Sequence, residues 1–295
     1  MTQAFSISEA EALAAVMQPL LAQATRLETP CGAGGVVWHT WGTAGALPPV
    51  VLLHGGSGSW THWLRNIQPL VDAGRQVLVP DLPGFGDSAD PPDGRDADAL
   101  PAPLDAGLAQ LVGDRAVDMV GFSFGGMTAG LLAADFPARV ARLVLVGAPA
   151  LGVVPRRTVD LKAWRHLADP ARQDAVHRHN LTVLMLRDPA AIDTRVLALH
   201  KANVVRDRML GRRLAYTDVL ARALGRARCP VWAIYGHDDA LYQGYQPALV
   251  EALPRHAVGR FRRLWLVPEA GHWVQFERAA AFNAALAEAL AEPPL

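Results

Sequence analysis

Short apolar segments recur along the chain, and helix-sized segments separate them. Seven of them have the length and composition of buried strands: Val36–Trp41, Val50–His54, Gln76–Pro80, Val117–Val120, Leu143–Gly147, Val231–Gly236 and Phe261–Val267. Several are unbroken runs of Val, Leu and Ile, as expected of strands that are covered on both faces. The clearest helical segments between and after them are Thr61–Asp72, Phe124–Phe136 and Val274–Leu290. This alternation predicts an α/β fold with a parallel sheet between layers of helices.

The N-terminal segment has helical periodicity. Ser8 and Glu11 have the spacing of a capping box, and the apolar side chains that follow share one face: Leu13, Val16, Met17, Leu20 and Leu21. Pro19 predicts a kink or an interruption. We expect an amphipathic helix that docks on the core.

The segment from Ala148 to Arg226 departs from the alternation, because it is helix-compatible, rich in Arg and Leu, and without a convincing strand. Pro155, Pro170 and Pro189 are expected to separate its helices. We interpret residues 148–226 as a helical lid inserted between two parts of one core, residues 1–147 and 227–295. An independent second domain is the alternative.

Composition and charge exclude several classes of protein. The 295 residues include 28 Lys and Arg against 28 Asp and Glu, and 51% are hydrophobic. Such a chain is too apolar for disorder, and it lacks the basic excess of nucleic-acid-binding proteins. The basic residues are nevertheless concentrated in the lid, whereas the turn-prone stretch Ala89–Asp98 contains four aspartates and is predicted to be a solvated loop.

The two cysteines, Cys31 and Cys229, have neither metal-ligand nor disulfide spacing, so we expect no metal and no disulfide. No apolar run reaches the roughly 18 residues of a membrane span, and no signal peptide is recognisable. The expectation is a cytoplasmic protein without a membrane partner.

The strongest chemical signal is Gly121-Phe122-Ser123-Phe124-Gly125, which follows the strand Val117–Val120 and precedes a helix. This is the G-x-S-x-G nucleophile elbow in its strand–turn–helix context. The tight turn raises the Ser123 hydroxyl above the sheet, and glycines avoid collisions on either side of it. Ser123 is therefore the predicted nucleophile.

A serine hydroxyl needs a base that takes its proton, and the base needs a group that orients it. His272 follows the last predicted strand in a turn and is preceded by Gly271. Asp239 and Asp238 both follow the strand Val231–Gly236 directly. We predict His272 as the base and favour Asp239 as the acid, with Asp238 left open.

The loop after Val50–Leu53 reads His54-Gly55-Gly56-Ser57-Gly58. The backbone N–H groups of Gly56 and Phe124 are the predicted oxyanion-hole donors, and His54 is expected to bond the loop backbone. Trp60, Phe122 and Trp273 adjoin these motifs and are predicted to line an apolar substrate pocket.

From about Val50 onward, these motifs resemble the α/β-hydrolase superfamily. The segment Asp81–Ser88 is similar to the loop that follows the fourth strand in that superfamily. The resemblance implies an α/β-hydrolase fold with a mostly parallel eight-stranded sheet flanked by helices, and a Ser-His-acid triad in this chain order. Haloalkane dehalogenases and epoxide hydrolases carry an aspartate at the elbow, where this chain has Ser123.

A narrower resemblance links Gly271–Glu277, with Ala279, Phe282 and Asn283 after it, to the meta-cleavage-product hydrolases. These enzymes split a carbon–carbon bond in vinylogous 1,5-diketones. In such a substrate, a carboxylate would be received by lid arginines, for which the candidates are Arg206, Arg208, Arg212 and Arg213. Phe122 stands where that family usually carries asparagine, and the Gly55–Ser59 loop is shorter than its counterpart.

We therefore expect a serine hydrolase without a cofactor that acts on a small molecule, most simply a carboxylesterase for small apolar esters. Carbon–carbon hydrolysis of a dienone acid is the alternative within enzymes, and perhydrolase activity uses the same triad. A ligand receptor or non-catalytic scaffold is the alternative outside enzymes. The sequence leaves open whether the chain forms a homo-oligomer. A basic residue opposite Ser123 would favour an acidic substrate, and an all-apolar pocket would favour esters.

Overall fold

A computed structural model describes residues 5–155 and 159–292. Eight strands form one sheet in the order β1-β2-β4-β3-β5-β6-β7-β8. The antiparallel pairs are β1 with β2 and β2 with β4, and all other neighbours are parallel. The strands are β1 Thr25–Cys31, β2 Gly34–Trp41, β3 Val50–Leu53, β4 Val77–Pro80, β5 Val117–Phe122, β6 Val140–Val146, β7 Val231–Gly236 and β8 Phe261–Val267. The predicted mostly parallel eight-stranded sheet is confirmed.

Helices cover both faces of the sheet and form most of the regular structure between β6 and β7. They are α1 Ile7–Leu21, α2 Ile67–Asp72, α3 Pro101–Val112, α4 Phe124–Asp135, α5 Pro170–Asn180, α6 Thr194–Val204, α7 Val219–Arg226, α8 Gln246–His256, α9 Val274–Glu277 and α10 Ala279–Ala291. A 3-10 turn at Trp60–Trp63 precedes α2. The helix expected over Val274–Leu290 is therefore two helices that meet at Arg278.

The core consists of two apolar layers, one on each face of the sheet. Along β3, Val51 and Leu53 pack into one layer, whereas Val50 and Leu52 pack into the other. Successive side chains of a strand point to opposite faces, so an unbroken apolar run is what a strand covered on both sides requires. The same reasoning explains why the apolar pattern located the central strands well.

The edge strand β1 is absent from the seven predicted strands. Most of its residues are exposed, and it contains Pro30, which interrupts strands in general. It pairs only with β2, so an apolar run is not needed there.

The N-terminal helix α1 forms as expected, but its cap differs. Ser6 is the N-cap and forms the capping box with Glu9, whereas Ser8 already lies within the helix. The predicted pair of Ser8 and Glu11 is wrong because the extended backbone residue that a cap requires is Ser6. Pro19 lies in the last turn and does not interrupt the helix.

Residues 148–226, which we call the lid, follow β6 and lead into β7. Their described part contains α5, α6 and α7 together with short helical turns and no strand. Pro170 begins α5, and Pro189 begins a 3-10 turn, as the sequence predicts. Helix α1 packs against α6, so the N-terminal segment contacts the lid as well as the core.

A buried ion pair fixes α1 to the lid. Lys201 on α6 is 3% exposed, and its Nζ lies 2.5 Å from Glu9 and 2.7 Å from Asp174. Burial alone would lower the pKa of Lys201, but hydrogen bonds to Asp174 and Glu9 raise that pKa above its usual value. The ammonium group is therefore held in its charged form.

Candidate active site

Ser123 lies in the turn between β5 and α4, with φ 51° and ψ −115°. Few residues other than glycine adopt positive φ, and such strain is concentrated at functional sites. A Cβ on Gly125 would collide with the carbonyl oxygens of Leu53 and His54, and one on Gly121 would collide with the backbone of Gly125. Both glycines of the motif are thus required by close backbone approach.

The structure brings His272 and Asp239 to Ser123. His272 Nε2 lies 2.9 Å from Ser123 Oγ, and His272 Nδ1 lies 2.9 and 3.0 Å from the two carboxylate oxygens of Asp239. His272 is 2% exposed and Asp239 is fully buried. Because charges interact more strongly away from water, this carboxylate is well placed to stabilise an imidazolium.

Asp238 lies outside this arrangement. It is partly exposed and ion-paired, with Oδ2 2.6 Å from Arg187 Nε and Oδ1 3.1 Å from His237 Nδ1. Asp239 turns inward because its N–H donates to Gly236 O and one carboxylate oxygen accepts from Leu241 N. Of the two aspartates, only Asp239 contacts His272.

The loop after β3 is held by His54. Leu82 N donates to His54 Nε2 at 2.9 Å, so Nδ1 carries the proton and donates to Gly55 O at 2.8 Å. Burial lowers the pKa of His54 and keeps its imidazole neutral. The histidine bonds backbone groups of two loops, which is the role expected from the sequence.

Asp81, directly after β4, fixes the same region. Its Oδ1 accepts from Trp60 N and its Oδ2 accepts from Asp87 N, each at 2.9 Å. The Asp81–Ser88 motif thereby ties the loop after β4 to the segment after Gly56. Gly56 and Phe124 are neighbours beside Ser123, since a Cβ on Gly56 would lie 3.7 Å from Phe124 Cβ.

A cavity of about 340 Å³ lies above Ser123 and His272. Core and lid both contribute its walls, and most of the lining side chains are apolar. They include Phe122, Phe124, Leu151, Val153, Leu161, Met185 and Leu241. Ligand sites of this size and character take small, largely apolar molecules.

Among the four candidate lid arginines, Arg212 lines this cavity. Its Nη2 would lie 3.4 Å from a Cβ on Gly56, which places the guanidinium beside the predicted oxyanion loop. Asp207 binds Arg212 Nη1 with both oxygens at 3.0 Å and also accepts from Ser57 Oγ at 2.5 Å. The cation is therefore present in the pocket wall but already paired.

The other three candidate arginines lie away from the cavity, on the aspartate-containing segment that follows β4. Arg206 pairs with Asp87 and Arg208 with Asp90. Arg213 donates its backbone N–H to Asp96 at 2.5 Å. Two lid arginines thus pair with aspartates of the segment after β4, and Arg213 is held there through its backbone.

Two of the three predicted pocket aromatics do not line the cavity. Trp60 packs against Trp41 at a ring-centroid distance of 5.7 Å, and Trp273 stacks on Phe276 at 4.2 Å. Both are 2% exposed. Proximity in sequence to a catalytic motif does not set the direction of a side chain, and here the large apolar rings fill the core. Phe122 lines the cavity and contacts the His272 ring at 4.9 Å.

Sequence reasoning missed Tyr242, which lines the cavity. Its hydroxyl donates to Ala148 O at 2.6 Å, and the hydroxyl of Tyr235 donates to the same oxygen at 2.9 Å. Burial raises the pKa of Tyr242 and keeps the phenol protonated. Its position three residues after Asp239 was the only available signal. Asp207 and Ser57 gave none, because their contact joins distant segments.

In residues 5–155 and 159–292, no group of His, Cys, Asp and Glu side chains has the geometry of a metal site. Within the same residues, no helix has both the length and the apolar character that crossing a bilayer requires.

Comparison with known proteins places these observations in a family. A family model described as alpha/beta hydrolase fold matches residues 48–279. A 2-hydroxy-6-oxo-6-phenylhexa-2,4-dienoate hydrolase from Burkholderia cepacia is 30% identical over 258 residues, which cover 81% of this chain and 86% of the relative.

Solved structures share the fold. An esterase from Rhodococcus has a TM-score of 0.71 at 22% identity, covering 91% of this chain and 99% of its own. A meta-cleavage product hydrolase also has a TM-score of 0.71, at 21% identity and with coverage of 89% and 97%. At these identities the likeness concerns the fold alone.

Proposed function

The chain belongs to the α/β-hydrolase fold family, and from this premise we propose that it hydrolyses carboxylic esters of small, largely apolar molecules through Ser123, His272 and Asp239. The observation that carries the proposal is the hydrogen bond of 2.9 Å between Ser123 Oγ and His272 Nε2 at the floor of an apolar cavity.

In the first step, His272 Nε2 takes the proton of Ser123 while Oγ attacks the carbonyl carbon. Asp239 accepts from Nδ1–H and stabilises the imidazolium that forms. The N–H groups of Gly56 and Phe124 are the proposed donors to the oxyanion. Such donors are typically worth about 100-fold or more in rate each, because they are in place before charge develops.

In the second step, His272 gives its proton to the leaving alcohol and an acyl-serine remains. Water then enters, His272 takes one of its protons, and the hydroxide attacks the acyl carbon. Release of the acid returns the proton to Ser123. This cycle needs no group beyond the side chains and backbone already named.

The lining of the cavity favours esters. Apolar side chains from core and lid dominate it, and Asp207 compensates the charge of Arg212, the candidate arginine in the lining. Phe122 adds an apolar ring directly before the nucleophile, where the meta-cleavage-product hydrolases usually carry asparagine.

Carbon–carbon hydrolysis of a dienone acid is the second candidate. Two observations favour it: the 30% identity to a 2-hydroxy-6-oxo-6-phenylhexa-2,4-dienoate hydrolase, and the presence of Arg212 beside Gly56. A substrate carboxylate would have to displace Asp207 from Arg212 or share the guanidinium with it.

The nucleophile is tested by labelling with a fluorophosphonate probe, which reacts with activated serines. We expect rapid labelling of the native protein and none of Ser123→Ala. Equal labelling of the two would refute the assignment.

The substrate is tested by comparing kcat/KM for short p-nitrophenyl esters with kcat/KM for a 6-phenyl dienone acid chromophore. We expect esters to be preferred. A preference of about 100-fold or more for the chromophore, lost in Arg212→Met, would establish the second candidate instead.

A further inference from the structure

The lid crosses directly over the loop that carries His272. Met185 ends a single π-helical turn of the lid, and its carbonyl accepts from Trp273 N at 2.8 Å. Leu186 and Arg187 continue past the other flank of the histidine, at Gly271. Both chain neighbours of His272 therefore touch lid backbone.

Gly271 shows how close this approach is. A Cβ there would lie 2.7 Å from Arg187 N, closer than real Cβ atoms come to other atoms, and 3.1 Å from Met185 O, which is unusually tight. Gly271 lets lid and catalytic loop pack backbone against backbone. Any side chain at this position would push the two apart.

Glu277, at the end of α9, joins the two segments. Its Oε2 accepts from Gly271 N at 2.6 Å and from Arg187 N at 3.2 Å, and its Oε1 accepts from Asp188 N at 2.8 Å. One carboxylate thus holds three backbone N–H groups from both sides of the contact. Hydrogen bonds to a charged acceptor are shorter and roughly twice as strong as those between neutral groups.

We propose that Glu277 is a positioning residue that fixes His272 against Ser123 by clamping Gly271 to the lid at Arg187 and Asp188. The inference rests on the proposed triad and extends it to a residue that lies outside the cavity lining. It also assigns the Met185–Asp188 segment a part in catalysis, beyond covering the pocket.

The physical reason is the precision that proton transfer demands. His272 must accept from Ser123 Oγ and later donate to the leaving group within one narrow range of distances. A displacement of about 1 Å in such a site can cost on the order of 100-fold in rate. A loop held by three bonds to one carboxylate is protected against that displacement.

The test is Glu277→Gln, which keeps the shape but replaces one acceptor oxygen by an NH2 group that cannot accept. We expect kcat to fall about 10- to 100-fold and KM to change less than about threefold. Fluorophosphonate labelling should slow in proportion to kcat. Glu269→Gln is the matched control, since Glu269 lies between β8 and His272 and its exposed carboxylate pairs with Arg278. Its kcat should stay within about twofold of the native value.

A second readout separates positioning from simple loosening of the fold. A displaced His272 lowers kcat while KM stays nearly constant, whereas a loosened lid wall weakens substrate binding and raises KM as well.

Gly271→Ala provides an independent variant, because it forces lid and loop apart while Glu277 stays intact. The same fall in kcat with a nearly constant KM is expected. If Glu277→Gln is labelled and turns over at the native rate, or loses activity through KM alone, this inference is wrong while the triad stands. If the native protein itself is not labelled at Ser123, the proposed function fails and the inference fails with it.

Discussion

The two walls of the cavity are built differently. The core wall carries Ser123, Asp239 and His272 on turns at the carboxyl ends of β5, β7 and β8, where a parallel sheet buried on both faces sets the backbone. The lid wall consists of short helices and irregular segments, which are joined to the rest by buried apolar side chains as well as by polar contacts. Under the proposed function, the chemistry depends chiefly on the first wall, and we expect substrate choice to depend on the second.

Two polar attachments of the lid differ in the groups that they join. Beside His272, backbone N–H groups bind Glu277. At the other side, Arg206 and Arg208 reach Asp87 and Asp90 through ion pairs in which each partner is about a third or more exposed. Exposed pairs contribute little and are screened by salt. We therefore expect the lid to detach first at the ion pairs of Arg206 and Arg208.

The largest effect is expected on the core wall. Asp239→Asn keeps the shape of the side chain but removes the charge that stabilises the His272 imidazolium, and the comparable change in a known serine hydrolase lowers kcat about 10⁴-fold. We expect a loss of that order in steady-state ester hydrolysis, with unfolding by urea little changed.

Asp238→Asn is the matched control, because Asp238 is the chain neighbour and pairs at the surface with Arg187. Its kcat should remain within about threefold of the native value. A collapse of activity in Asp238→Asn with a mild effect in Asp239→Asn would reverse the assignment of the acid.

A smaller effect, on stability, is expected where the lid meets α1. Lys201→Met removes the cation between Glu9 and Asp174 and leaves Glu9 buried without its partner, a change that costs about 3 kcal/mol in comparable buried pairs. Because Asp174 is a third exposed, we expect a loss of about 2 kcal/mol in the free energy of unfolding, measured with urea at pH 7.

The stabilisation from the pair of Glu9 and Lys201 should decrease at low pH. Burial by itself would raise the pKa of Glu9, but the bond to Lys201 lowers it below the usual value. The stabilisation is then present above the pKa of an unfolded glutamate and is lost as pH falls through the folded value. The difference between Lys201→Met and the native protein should shrink below about pH 4; a constant difference across pH would contradict the pairing.

The smallest effect is expected at the surface of the lid. Arg206→Gln breaks the pair with Asp87, and we expect less than about 0.5 kcal/mol of lost stability, decreasing further in 0.5 to 1 M salt. Thermal unfolding at low and high salt measures it. A loss that matches Lys201→Met would mean that the exposed ion pair of the lid stabilises the fold as much as its buried ion pair with α1, and the comparison would fail.

The sequence predicted the core wall better than the lid wall. Gly121, Ser123 and Gly125 lie within five residues, so the elbow is visible without knowledge of the fold. The choice between Asp238 and Asp239 depends on a turn whose inward residue is set by the bond from Asp239 N to Gly236 O, which no local pattern reveals.

The lid arginines illustrate the limit most clearly. Arg206, Arg208, Arg212 and Arg213 are equivalent in composition, and Arg212 alone among them lines the cavity above Ser123. Arg212 differs from the others because it pairs with Asp207. Asp207 in turn accepts a hydrogen bond from Ser57, which lies 150 residues before it in the chain. Trp60 and Trp273 failed as pocket residues for the same reason, since their directions are fixed by core packing rather than by sequence neighbours.

The hydrogen bond between Ser123 and His272 joins residues that are 149 positions apart. A ribosome adds about 5 to 20 residues per second, so roughly 7 to 30 s pass between synthesis of the nucleophile and synthesis of its base. During that interval the strained serine turn can form but has no base to activate it. Because lid residues 148–226 also precede His272 in the chain, the proposed hydrolysis can begin only after the lid has been synthesised.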